Sequence, residues 1–179
     1  MPIHDRIDDL RARERDGNLP EFVLFWGGPT PKGCLSQWYH SPFTLDGITY
    51  ATAEHYMMAE KARLFGDRRN ETRILRNPAP ALAKSFGRDV RGFDEETWVA
   101  HRYGIVVTGS RAKFAAHPEL REFLLSTAGK VLVEASPEDT VWGIGLEEHE
   151  PEARVPSQWR GLNLLGFALM DARESLAAA

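Results

Sequence analysis

A chain of 179 residues and 20.2 kDa, with 42% hydrophobic and 27% charged residues, holds enough apolar side chains for a substantial core, which excludes disordered and fibrous classes. Its net charge of -4 argues against a broad nucleic-acid surface, although a local basic groove is compatible with it. Cys34 is the single cysteine, so there is no internal disulfide, and no apolar run reaches the roughly 20 residues that span a bilayer; no membrane association and a cytoplasmic location are expected.

Ile3, Ile7 and Leu10 recur at helical spacing before Gly17-Asn18, which predicts an amphipathic helix over 3–16 at the domain edge. Phe22 to Trp26 reads as a buried strand running into Gly27-Gly28-Pro29, and the loop to Ser41 is expected to lack structure of its own. Asp46-Gly47 marks a tight hairpin turn between short arms at Phe43 and Tyr50. Thr52 is an N-cap for a helix to Phe65, stopped by Gly66. Asn77-Pro78 separates helices at 68–76 and 79–87. A long helix is expected over 94–116, with close packing or a bend at Gly104 and Gly109, because glycine weakens a helix interior. A short helix over 119–126, strands over 130–134 and 141–144, and a last helix over 163–176 complete an α+β reading: mostly helical, a few short strands, one domain.

The chemistry concentrates between Tyr50 and Lys61. Glu54 and Lys61 are seven positions apart, so at about 100° per residue they lie roughly 20° apart around a helix and about two turns along it. Glu54 is either a surface acid stabilising the helix start or a cleft carboxylate kept ionised by the same field. Lys61 is either solvated past Met57 and Met58 or held against an apolar wall, where an amine can attack an aldehyde or an opened sugar. Trp38, Trp98, Trp142 and Trp159 each stand near Gly, Ser or Gln and can stack a planar heterocycle or fill a core. Trp142-Gly143-Ile144-Gly145 permits close backbone approach to a phosphate or ribose, although a lone Gly-x-Gly is weak. Gly87-Arg88, and Arg111 with Lys113, offer phosphate contacts or solvated faces. The six histidines show no zinc spacing and Cys34 has no assignable base, so neither a metal, a cofactor nor a thiol nucleophile is expected.

Taken in order, Ser36-Gln37-Trp38, Asp46-Gly47, Tyr50, Glu54-His55-Tyr56, Lys61, Gly87-Arg88, Trp98, Arg111-Ala112-Lys113-Phe114, Trp142-Gly143-Ile144-Gly145, Gly161 to Gly166, Leu169-Met170 and Arg173 resemble the NADAR, or YbiA-like, family. The resemblance runs over about residues 22–176, which divides the chain into an N-terminal helical extension over 1–20 and a NADAR-like domain over 21–179. It implies an α+β N-glycosidase with one of two substrate classes. These are ADP-ribose on guanine of a nucleotide or nucleic acid, with functional pairing to an ADP-ribosylating toxin, and phosphorylated ribosylamino-pyrimidines of riboflavin synthesis. By similarity Glu54 is the catalytic carboxylate and Lys61 a second catalytic group. Ser36, Gln37, Trp38, Tyr56, Arg88, Trp98, Trp142, Gly143, Ile144, Gly145 and Asn163 are the substrate-binding candidates. The riboflavin-linked branch carries an acid after the Trp-Gly pair where this chain has Ile144, which favours the ADP-ribose class. A non-catalytic module binding ADP-ribose or NAD is the rival reading.

Overall fold

The computed structural model describes residues 3–179. In chain order its elements are helix α1 (Ile3–Arg15), strand β1 (Phe22–Phe25), a 3-10 turn (Pro31–Leu35), strands β2 (Phe43–Leu45) and β3 (Ile48–Tyr50), and helices α2 (Ala53–Leu64), α3 (Arg68–Arg76), α4 (Pro80–Arg88), α5 (Glu95–Ala116) and α6 (Pro118–Ser126). Strand β4 (Val131–Glu134), two further 3-10 turns (Pro151–Arg154 and Pro156–Gln158) and helix α7 (Leu164–Ala177) follow. The fold is α+β and mostly helical. The chain forms two compact units, residues 37–121 and residues 1–36 with 122–179.

In the unit over 37–121, the hairpin forms because Asp46 and Gly47 both take positive φ, 51° and 77°, the twist that a two-residue turn between right-handed strands requires. Thr52 then caps α2 by accepting from the His55 N–H, and Gly66 at φ 70° ends it. Residues 53 to 59 of α2 are all buried, so α2 is the central helix of this unit, packed by α3, α4 and α5. Two glycines allow that approach. A Cβ on Gly87 of α4 would fall 2.0 Å from Met58 Sδ, and one on Gly109 of α5 would fall 2.4 Å from Tyr56 Cδ1. Gly104 behaves otherwise: nothing lies within 4 Å of where its Cβ would stand, so the close packing is at Gly109 and not at Gly104.

In the other unit, β1 and β4 pair in parallel, Phe22 opposite Val131 through Phe25 opposite Glu134. Helix α7 lies directly on β4, since a Cβ on Gly166 would fall 2.1 Å from the Leu132 carbonyl oxygen. Helix α1 is tied down here, through Arg6 to Asp171 at 2.5 Å and through Glu14, which accepts from the Ser157 backbone and hydroxyl at 2.8 and 2.6 Å.

Two expectations are corrected. The loop between β1 and β2 is not bare, because the 3-10 turn over Pro31–Leu35 occupies it. Residues 141–144 form bends and not a strand: Asp139 Oδ1 accepts from the Val141 and Trp142 N–H groups at 2.9 and 2.7 Å. The carbonyls of Val141, Trp142 and Gly143 receive N–H groups from Leu164, Leu165 and Asn163. With those groups committed to an Asx turn and to the start of α7, only the Ile144 N–H reaches β4, at the Glu134 carbonyl, and no ladder forms.

Candidate functional site

Glu54 sits in the first turn of α2 and is 3% exposed, with its backbone N–H donating to the Gln37 carbonyl at 3.0 Å. Burial of a carboxylate at a helix N-terminus places it where unmatched N–H groups favour negative charge. Gln37 is itself buried, its amide 3.9 Å from Met57 Sδ, so the 37–38 segment is pinned beside α2. His55 fixes the same turn from the other side. A carbonyl only accepts, so His55 Nε2–H donates to Asn77 at 2.7 Å, and Nδ1 accepts from the Thr52 hydroxyl at 2.8 Å. Burial holds His55 below the usual histidine range and neutral, a bolt joining the α2 cap to the end of α3.

Lys61 is half-buried near the other end of α2. Its Nζ lies 4.3 Å from the centroid of the Phe93 ring and 5.4 Å from that of Trp98. Burial pushes the ammonium below the ordinary lysine range; Glu95 opposes this, and Arg88 adds to it. Trp98 is buried, whereas Phe93 is 42% exposed and meets the Phe65 ring edge-on at 5.4 Å. The segment carrying Phe93 is anchored by Asp67, which accepts from the Arg91 N–H at 2.9 Å and from the Arg91 guanidinium at 3.3 Å. These bonds and those from Asn70 hold the Asp67 carboxyl far below the usual carboxylate range.

The unit over 37–121 therefore holds Glu54, Lys61, Gln37, Trp38, Tyr56, Arg88 and Trp98. Tyr56 belongs to an aromatic cluster with Tyr50 and Phe43, centroids 5.1 and 6.0 Å away, and burial keeps its hydroxyl protonated. Trp38 is 45% exposed, with Lys84 Nζ 5.9 Å from its ring. Arg88 is exposed at the end of α4.

The remaining candidates, Ser36, Trp142, Gly143, Ile144, Gly145 and Asn163, lie in the other unit. Ser36 and Trp142 are half-buried. Gly143 is pressed against its own chain, because a Cβ there would fall 2.9 Å from the Glu134 carbonyl oxygen. Ile144 is completely buried and donates its N–H to the same carbonyl. Asn163, also completely buried and at φ 52°, spans β4: its Oδ1 accepts from the Glu134 N–H and its Nδ2 donates to the Leu132 carbonyl, both at 2.9 Å. In these positions the Trp-Gly segment and Asn163 hold the sheet to α7.

Three features escaped the residue patterns. Phe93 stands outside every motif, and only the packing of the loop before α5 brings it to Lys61. The burial of Lys113, which the sequence offers as a phosphate contact or part of a solvated face, is another: it is 1% exposed, its Nζ 5.6 Å from the centroid of Tyr39 and 5.1 Å from that of Phe114. A cleft of about 600 Å³ opens beyond the C-terminal ends of β1 and β4, with Trp26 57% exposed on its wall. Lys32 and Arg154 there face Glu147 and Glu148, and Lys32 pairs with Glu148 at 2.6 Å, so the cleft gives no net positive cradle. Among the described residues no group of three or more His, Cys, Asp or Glu side chains could hold a metal ion, and no helix is long and apolar enough to cross a membrane.

A mostly helical α+β protein with a buried carboxylate and a half-buried amine on its central helix is the class that fold and site define. The chain belongs to the NADAR family, whose domain matches residues 24–177. It is 42% identical over 162 residues to N-glycosidase R617 of Acanthamoeba polyphaga mimivirus, covering 86% of this chain and 95% of that one. To N-glycosidase YbiA of Escherichia coli it is 34% identical over 169 residues, covering 94% and 97% of the two chains. The NMR structure of E. coli YbiA superposes with a TM-score of 0.73 at 33% identity, over 89% of this chain and 86% of that one. A 142-residue stretch is 34% identical to the maize chloroplastic riboflavin biosynthesis protein PYRR, covering 73% of this chain and 20% of that protein.

Proposed function

We propose that this chain is an N-glycosidase that hydrolyses the bond between a ribose and a nucleobase-type amine. The observation that carries the reading is the pairing, on one helix, of a carboxylate that is 3% exposed with an amine that burial has made easier to deprotonate. Cleavage of an N-glycoside leaves positive charge on the sugar, which an ionised Glu54 beside the anomeric carbon stabilises. Lys61 then acts as the amine nucleophile. The sugar ring opens as its C1–O bond breaks, the electron pair and a proton from water going to the ring oxygen while the base nitrogen's lone pair makes a C1=N iminium. The Lys61 lone pair then adds to C1, and the bond from C1 to the base nitrogen breaks with its electron pair leaving on the base as the Lys61 nitrogen forms the new iminium. The departing nitrogen takes the proton that the attacking amine gives up. Water adds to the resulting iminium carbon, and the free amine returns as the sugar departs. Relatives named N-glycosidases support the coarse activity.

The substrate favoured is ADP-ribose on guanine of a nucleotide or nucleic acid, in functional pairing with an ADP-ribosylating toxin, since Ile144 offers no acid after the Trp-Gly pair. Similarity to the maize riboflavin protein supports phosphorylated ribosylamino-pyrimidines as the second reading. Incubation with guanine-ADP-ribosylated DNA and, in parallel, with the ribosylamino-pyrimidine phosphates separates them, because free base appears only from the true substrate. Glu54→Gln should abolish release and leave binding nearly intact. If the wild-type protein binds ADP-ribose and turns over neither substrate, the protein is a binding module.

A further inference from the structure

The loop between α4 and α5 is built from the Asp67 carboxylate outward. Asp67 caps α3, grips the backbone and guanidinium of Arg91, and with Asn70, whose amide donates to the Asp89 carbonyl at 3.0 Å, fixes both sides of the turn at Gly92. Gly92 takes φ 73° there, which reverses the chain and throws Phe93 back over α2. The ring of Phe93 then meets Phe65 and lies over the Lys61 Nζ, with the Trp98 ring also near it.

An aromatic side chain left 42% exposed just before a helix gains little from core burial, yet the loop that carries it is anchored by two bonds from Arg91 to Asp67 and one from Asn70 to the Asp89 carbonyl. From this we infer that Phe93 is a positioning residue for Lys61: its ring keeps water from the amine and holds it against Trp98. The inference rests on Lys61 being the amine nucleophile of the proposed reaction. Two effects of the ring oppose each other. Its face attracts the ammonium, which favours the charged form. Its bulk removes water, which favours the neutral form, and burial is the largest influence on Lys61. The charged groups facing the amine are Glu95 on α5 and Arg88 on α4, of opposite sign. On α2 and α3, Glu60 and Glu71 are both engaged by Arg63.

The test is an NMR titration of the lysine 13Cε signals, with Lys61 assigned from Lys61→Arg, in the wild-type protein, Phe93→Ala and Phe93→Leu. Phe93→Ala should raise the Lys61 midpoint by about one pH unit, leaving about tenfold less neutral amine at pH 7. Phe93→Leu, which keeps apolar bulk without a π face, should hold the midpoint at or below the wild-type value. A Phe93→Ala midpoint coincident with wild type overturns the inference, as does a Phe93→Leu midpoint that rises as far as alanine's. Because the titration needs no substrate, its outcome is independent of whether the wild-type protein releases base from either glycoside.

Discussion

The ring of Tyr56 lies against Gly109, so close that a methyl group on the glycine would stand 2.4 Å from Tyr56 Cδ1. This contact sets how closely α2 and α5 approach at this point. Tyr56 cannot yield, because Phe43 and Tyr50 pack around it. Gly109→Ala should therefore destabilise the protein by about 1–3 kcal/mol in urea unfolding, the usual cost of overpacking. Gly104→Ala, on the same helix with open space around it, should stabilise by up to about 1 kcal/mol from helix propensity. Equal effects at the two sites would refute the packing argument.

Asn163 joins β4 to α7 with both ends of its amide. Asn163→Asp keeps the shape but turns a carboxylate oxygen towards the Leu132 carbonyl in a fully buried place, where acceptor faces acceptor. Loss of about 2–4 kcal/mol is expected. Asn163→Ala, which removes both bonds, should cost about 2 kcal/mol. An aspartate variant as stable as wild type would remove Asn163 from the scaffold.

His55 makes stability depend on pH. Its folded pKa lies below the ordinary 6.5, so between the two values the unfolded chain binds the proton more readily. The contribution is fully present above about pH 6.5 and is lost as pH falls through the folded pKa. Urea midpoints should decline across that window in the wild-type protein. His55→Gln should be less stable at pH 7.5 but flatter below it, and an unchanged slope would assign the dependence to other groups.

Lys61→Arg keeps a cation beside Phe93 and Trp98 but removes an amine that can become neutral. Under the proposed mechanism, borohydride added during turnover should reduce the wild-type iminium to a stable adduct on Lys61; in the variant, turnover should fall by about 10²–10⁴ and no such adduct should form. Single-turnover assays measure the first and peptide mass spectrometry the second. An arginine variant retaining a tenth of wild-type turnover would take the amine out of the chemistry.

Local signals were legible from the residues alone. Thr52, Gly66 and Asn77-Pro78 punctuate the helices where they stand, because caps and turns depend on side chains a few positions apart. The Asp46-Gly47 hairpin has the same origin, and the ordered motif set sufficed for the family. Tertiary structure decided the rest. Residues 141–144 have the composition of a strand, but Asp139 and the first turn of α7 take their hydrogen bonds. The Gly-x-Gly that suggested ligand approach meets the chain's own Glu134 carbonyl. A shared face does not single out Glu54 and Lys61, since α2 is buried on nearly every side of its first two turns. What distinguishes these two residues is their neighbours: Gln37 at the Glu54 amide, Phe93 and Trp98 at the Lys61 amine. Those neighbours are 17 to 37 positions away along the chain, and periodicity, which reports only which way a side chain points, carries no information about what it meets.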